Sequence, residues 1–142
     1  MTQDLQADDY CFACGPANPH GLKLHFTFDR EGRASAAAFT PGREHQGFAG
    51  LTHGGILAAC LDEAMLQLAW TLGIPAVTAR FEMELKKAAP TGGPLRVRGW
   101  IDEDRGRVVT ARAEITDAAG ELVARAKATA VVRGRRLEPA PL

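Results

Sequence analysis

Asp62 is the residue whose surroundings most demand a chemical explanation. It stands in the middle of a helix-like stretch with Ala58, Ala59, Leu66 and Ala69 as its i−4, i−3, i+4 and i+7 neighbours. A carboxylate among apolar side chains is costly, and poor hydration sharpens its tendency to take up a proton. Asp62 therefore reads as a general base or nucleophile in an apolar pocket whose alanines leave room for a substrate. The competing structural reading is an aspartate paired with an arginine or capping a loop. Glu63 is the rival acid, and because it lies about 100° further round the helix, the two cannot point at one atom.

The second chemical element is Thr52-His53-Gly54-Gly55, at the start of the same helix. Unpaired N–H groups and the positive end of the helix dipole are exposed there. With no Cβ in the way, the N–H of Gly54 or Gly55 is placed to polarise a substrate carbonyl and hold the charge that develops on its oxygen. A helix rises about 1.5 Å per residue, so Gly54 and Asp62 lie roughly 12 Å apart along the axis. One carbonyl cannot span that gap, and if both groups serve one reaction they come from different chains related by a two-fold axis. His53 is read mainly as a residue that orients the loop by hydrogen bonds, with a ligand or base role second. Gln46, earlier in the loop, has an amide that can donate to the same carbonyl.

Other reactive types carry less. Cys11 and Cys14 form a lone CxxC, with His20 and His25 nearby, but their spacing matches no common finger and no metal is expected. Redox chemistry lacks the βαβ pattern that would accompany it. Cys60 falls on the apolar stripe of the helix and reads as core. Arg80, Lys86, Lys87, Arg96 and Arg98 are assigned to the polar faces of two neighbouring strands, with Arg133, Arg135 and Arg136 at the end of the last. Such faces are usually just solvated, yet they also offer charge-assisted donors for phosphates.

These groups need a scaffold. Ile56, Leu57, Cys60, Leu61, Ala64, Met65, Leu68, Ala69 and Leu72 form one broad stripe at helical spacing. Ala58, Ala59, Leu66 and Trp70 add apolar groups on the other side, so the helix is expected to be buried. Thr52 is the expected N-cap, and Gly73 followed by Pro75 the stop. Before the helix, Leu22–Asp29 and Arg33–Phe39 predict a hairpin turning at Arg30-Glu31-Gly32, followed by a Gly-rich loop, PGREHQGFAGLTHGG, with neither strand nor helix. After it, Val77, Ala79, Phe81, Met83 and Leu85 alternate with Thr78, Arg80, Glu82, Glu84 and Lys86, the period of a half-buried strand. Strands over Leu95–Asp102, Arg107–Thr116 and Glu121–Arg133 follow across short turns, predicting an antiparallel meander. Ala124, Ala126, Ala128 and Ala130 are small enough to let the sheet approach the helix. The order is ββαββββ in an α+β chain.

With 142 residues, one domain is expected, comprising an N-terminal extension over 1–21 and a frayed tail over 134–142. Hydrophobic residues at 46% suffice for a core, and 17 basic against 17 acidic residues give no general pull toward polyanions. Only 6% aromatic residues argue against a single-stranded nucleic-acid platform. No export signal is read in MTQDLQADDY, and Asp62, Glu63 and Gln67 spoil the most apolar stretch as a membrane span. Three cysteines make no disulfide framework. A soluble, cytoplasmic protein is expected.

The loop and helix HQGFAGLTHGGILAACLDEAM resemble the signature of hot-dog fold thioesterases of the phenylacetate-degradation (PaaI-like) type. CFACGPANPHGLKLHF resembles the extension of one branch of that family, and VTARFEMELKKAAPTGGPLRVRGWI the strand after its helix. The resemblance implies a hot-dog fold, with one long helix wrapped by a curved antiparallel sheet of about six strands. It implies an acyl-CoA thioesterase without cofactor, acting on an acyl-CoA or aryl-CoA as a homodimer, commonly a dimer of dimers. It assigns the oxyanion N–H to Gly54, the base or nucleophile to Asp62 of the facing subunit, and positions beside the thioester to Gln46 and Thr78. The family's amide often falls where this chain has Gly47, so Gln46 fits with a one-residue shift. Strict alternation turns Thr78 away from the helix unless the strand start is bulged. Phe48, Leu66 and Trp70 are expected to line the acyl pocket, with His53 and Gly55 beside the substrate and Arg80 toward its phosphates. The alternatives are a non-catalytic acyl-CoA binder or sensor and a hot-dog enoyl-CoA hydratase or dehydratase, which would want a paired His and acid.

Overall fold

The computed structural model describes residues 4–141. Its elements run β1 (Thr27–Asp29), β2 (Ala34–Phe39), α1 (Gly54–Thr71), β3 (Ala76–Leu85), β4 (Leu95–Asp104), β5 (Val108–Asp117) and β6 (Leu122–Val132), with a 3₁₀ turn at Arg43–His45. All six strands join one antiparallel sheet in the order β1-β2-β4-β5-β6-β3. The expected ββαββββ order and hot-dog architecture are borne out: one central helix wrapped by a six-stranded curved sheet.

Helix α1 presents Leu57, Leu61 and Met65, all fully buried, to a sheet face built from Val97, Ala113, Ile115, Ala124 and Ala128. Full burial of each such side chain is worth about 1.5–3 kcal/mol, and this face supplies much of what fixes the helix. Contact is close because the sheet is built from small residues there. A Cβ on Gly99 of β4 would lie 2.7 Å from the Ala64 carbonyl oxygen. Ser35, buried on β2 opposite Gly99, donates its hydroxyl to that same oxygen at 2.6 Å. The helix ends in a Schellman motif: Gly73, at φ +83°, donates to Trp70 O at 2.9 Å, and Ile74 donates to Ala69 O at 2.8 Å.

Four local expectations are corrected. β1 begins at Thr27, because Leu22 and Leu24 donate to Phe12 O and Ala13 O and so serve the preceding segment instead of the hairpin. The loop expected to lack helix contains the 3₁₀ turn, stabilised by the Gly42 N–H donating to His45 Nδ1 at 2.9 Å. The N-cap is His53, not Thr52. Finally, only β4, β5 and β6 form a meander. β3 crosses to the far edge and pairs with β6, so β3 and β4 are not neighbours.

Residues 9–24, ahead of β1, fold as a compact turn structure over one side of the helix. Gly15 donates to Cys11 O at 2.8 Å and Ala17 to Asp9 O at 2.9 Å, and Ala13 joins the main core. After β6, Leu137 donates to Gly73 O and Ala140 to Thr71 O, while Nη1 and Nη2 of Arg136 donate to the two carboxylate oxygens of Asp104. No helix among the described residues is long and apolar enough to cross a membrane.

Candidate functional site

The loop entering α1 is shaped by its own polar groups. Gln46 bridges to Thr52, and its Oε1 accepts from the Gly50 N–H at 3.2 Å. Gly50 takes φ +77°, which closes the turn. Since Oε1 is engaged, the amide NH₂ is the end of Gln46 left to donate. His53 then caps the helix, its Nδ1 accepting from Gly55 N at 2.8 Å. Ile56 and Leu57 donate to His53 O at 2.9 and 3.3 Å. Of the first four helical N–H groups only that of Gly54 has no acceptor among the described residues, which singles out Gly54 from the Gly54-or-Gly55 alternative. A cavity of about 450 Å³ lies here, lined by Phe48, Leu51, Thr52, His53, Gly54 and Leu57. Phe48 is 85% exposed and walls it from one side only. The Thr52 hydroxyl is buried without a hydrogen-bond partner.

Asp62 lies half-buried two turns further on, and Thr78 Oγ1 donates to its Oδ1 at 2.6 Å. A register shift between Thr78 and Arg80 makes this contact possible. Thr78 pairs with Ala130 and Arg80 with the next residue, Thr129, so Ala79 is the extra residue of a β-bulge. The bulge inverts the alternation before it. Ala76 and Thr78 turn toward the helix, while Val77 and Ala79, placed on that side by strict alternation, are exposed. Among the described residues Asp62 forms no ion pair, so the arginine-paired structural reading does not apply.

Glu63 points elsewhere, toward the N-terminal segment. Cys11 Sγ donates to its Oε1 at 3.6 Å, and Cys14 Sγ faces Gln67 Oε1 at 3.9 Å. Burial, followed by hydrogen bonding to Glu63, pushes the Cys14 thiol well above the usual range. Leu66 and Trp70 line a cavity of about 770 Å³ on this side, together with Cys11, Cys14, Glu63 and Gln67. One chain thus holds the expected site residues in separate places: Gln46, Phe48, His53, Gly54 and Gly55 around the helix start, Asp62 with Thr78 at mid-helix, and Leu66 with Trp70 beyond. Neither Asp62 nor Thr78 lines the cavity at Gly54.

The basic cluster is corrected. Arg80, Lys86 and Lys87 lie on or just beyond the edge strand β3, two strands removed from Arg96 and Arg98 on β4. Arg80 pairs with Glu82 at 2.7 Å, Lys86 with Glu84 at 2.7 Å, and Lys87 with both Asp117 and Glu121. Cys60 is fully buried, and burial pushes its thiol up to about 12. What sequence reasoning missed was the meeting of Cys11 and Cys14 with Glu63 and Gln67. The available signal was the i, i+4 spacing of two polar residues on an otherwise apolar helix.

With this geometry in view, the chain belongs to the thioesterase superfamily, whose profile matches residues 49–124, more than half of its length. That segment contains the last residues of the entry loop, the helix and strands β3 to β5. A Streptococcus mutans protein solved bound to acetyl-CoA superposes with a TM-score of 0.74 at 20% identity, over 80% of this chain and 91% of that one. The Escherichia coli PaaI protein, from the phenylacetic acid degradation operon, superposes with a TM-score of 0.75 at 16% identity, over 81% and 83%. A phenylacetic acid degradation-related protein of Ralstonia eutropha gives 0.74 at 25% identity, over 82% and 90%. The resemblance read in the loop and helix is borne out, and the fold is that of PaaI and its hot-dog relatives. No curated protein sequence matches.

Proposed function

We propose that this protein is an acyl-CoA thioesterase, hydrolysing an acyl-CoA or aryl-CoA to free acid and CoA at a site shared by two subunits. The observation that carries the reading is Asp62: a half-buried carboxylate at mid-helix, without a cation among the described residues, oriented by the Thr78 hydroxyl at 2.6 Å. An acid that merely stabilised the fold would be expected to have a cationic partner. Gly54 supplies the complementary group, a free N–H at the positive end of the helix.

Because the two lie roughly 12 Å apart along one axis, each works with its counterpart from a second copy. The edge strand β3 offers the means of association. It is ten residues long, bonded only to β6, and carries Val77 and Leu85 exposed at 38% and 51%. Such an edge calls for a covering partner. Pairing it with its copy about a two-fold axis sets the two helices antiparallel. The acetyl-CoA bound to the S. mutans relative supports the substrate class.

In the reaction, Asp62 attacks the thioester carbon or takes a proton from the water that does. The carbonyl oxygen gains charge against the Gly54 N–H, with the Gln46 amide as a second donor. The tetrahedral centre then collapses, the C–S bond breaks, and the sulfur leaves with the electron pair and gains a proton as CoA thiol. Where water attacked, the free acid is released directly, and where Asp62 attacked, water then hydrolyses the mixed anhydride left on its carboxylate to free acid. The test is thiol release from a panel of acyl-CoAs by wild type, Asp62→Asn and Glu63→Gln, with light scattering for the assembly state. Loss of hydrolysis in Asp62→Asn within a folded dimer or larger assembly is expected. A monomer in solution, or loss confined to Glu63→Gln, would overturn the proposal.

A further inference from the structure

The CxxC segment and the far face of α1 meet in a way that hydrolysis does not use. Cys11 Sγ, Cys14 Sγ and a Glu63 carboxylate oxygen all lie within 4.8 Å of one another. Around a tetrahedral zinc ion with bonds of about 2.3 Å to sulfur and about 2.0 Å to oxygen, neighbouring ligand atoms stand roughly 3.5–3.8 Å apart. Cys11 Sγ and Glu63 Oε1 are 3.6 Å apart, and Cys14 Sγ and Gln67 Oε1 3.9 Å. Glu63 and Gln67, one turn apart on the helix, each face one of the two thiols.

The loop that carries the thiols is held ready by its backbone. The Cys14 N–H faces Cys11 Sγ at 3.5 Å, a donor that stabilises charge on sulfur, and the Gly15 N–H donates to Cys11 O at 2.8 Å. A Cβ on Gly15 would lie 2.3 Å from Cys11 N, so only glycine permits the turn to close this tightly. The half-buried cysteines open onto the cavity of about 770 Å³, through which an ion can reach them.

We propose that Cys11, Cys14 and Glu63, with Gln67 as the fourth donor, bind one zinc-class divalent cation that fastens the N-terminal segment to the helix beside Asp62. Two sulfurs favour zinc over magnesium or calcium, which take oxygen. On binding, the two thiol protons pass to solvent and the thiolates and carboxylate donate lone pairs, with no change of oxidation state. His20 and His25, the nearest histidines in sequence, take no part.

The experiment is titration of the reduced, metal-stripped full chain with cobalt(II), followed by displacement with zinc. Saturation at one equivalent per chain is expected, with thiolate-to-cobalt charge-transfer absorption, visible bands of tetrahedral intensity, and their loss on adding zinc. Cys14→Ser should remove about half of the charge-transfer intensity, the Cys11→Ser, Cys14→Ser double variant should remove all of it, and Glu63→Gln should weaken binding at least tenfold, while His20→Ala leaves both unchanged. Zinc should also raise the thermal midpoint of wild type but not of the Cys11→Ser, Cys14→Ser double variant. Absence of the charge-transfer band in reduced wild type, its full intensity in Cys14→Ser, its survival in the Cys11→Ser, Cys14→Ser double variant, or unaltered affinity in Glu63→Gln would overturn the proposal. So would uptake of cobalt only after Cys11 and Cys14 had been joined as a disulfide. The readout is metal binding, so it stands or falls separately from hydrolysis.

Discussion

Replacing Gly54 by alanine should raise stability and lower activity, an opposition that few other positions offer. Gly54 is the first residue of α1 and is absent from the glycines with positive φ. A Cβ built there meets no heavy atom within 4 Å. The fold of one chain therefore gives no reason for a glycine, and Gly→Ala at a compatible site stabilises by about 0.4–1 kcal/mol through the unfolded state. For a chain of this size that is a rise of about 1–3 °C in Tm. The methyl, however, projects beside the only first-turn N–H without an acceptor among the described residues. Holding a carbonyl oxygen off one oxyanion donor lowers kcat by about 10²–10³.

Gly55→Ala is the control. Its Cβ would lie 3.0 Å from His53 Nδ1 and 3.1 Å from Cε1, so the ring must shift and the cap weakens. Loss of an N-cap costs about 0.5–2 kcal/mol, and stability should fall. Thermal unfolding and thiol-release kinetics on both variants decide the matter. A more stable Gly54→Ala protein with full kcat would remove the oxyanion role, and a less stable one would mean that the glycine serves structure or subunit contact.

In the proposed reaction Thr78 positions Asp62 through its 2.6 Å hydrogen bond, and Thr78→Val keeps its shape without its donor. Removing a hydrogen bond to a charged group costs about 1.5–3 kcal/mol, which corresponds to roughly 10–100-fold in kcat with little change in KM. Thr78→Ser should restore most of the rate, and equal kcat for the Val and Ser variants would refute the role. Arg136, more than any other group, holds Asp104 from its ordinary 3.8 down to about 2. A lowered carboxylate contributes stability that is full above about pH 4 and disappears as pH falls toward 2. Asp104 and Arg136 side chains are 20% and 40% exposed, so solvent screening reduces the contribution to about 1 kcal/mol. Urea unfolding of wild type and Asp104→Asn should differ by that amount at pH 7 and converge near pH 2, whereas a gap constant with pH would refute the linkage.

The helix was legible because apolar residues almost encircle it, and its Gly73 stop was a local signal. The sheet order was not, since nothing in an alternating strand says that β3 skips β4 and pairs with β6. The same omission placed Arg80 beside Arg96. Thr78 was displaced by one bulged residue, Ala79, which alternation cannot reveal because the residues around it keep their types. The cap was assigned to Thr52 on side-chain preference, whereas His53 performs it through a ring nitrogen. Cys11 and Cys14 have histidines as their nearest chemical neighbours in sequence, while the groups they meet, Glu63 and Gln67, lie about fifty residues away on the helix.

The buried contact of Ser35 and Gly99 with the Ala64 carbonyl has a wider meaning for how such a scaffold can diversify. It pins the helix to the sheet two residues beyond Asp62, at a spot where any added carbon would collide with backbone. Bulk can be exchanged at Leu66 or Trp70, both half-buried on the opposite side, without sliding that anchor. Under the proposed function, substrate preference can therefore drift through these outward positions while the Asp62 carboxylate keeps its coordinates.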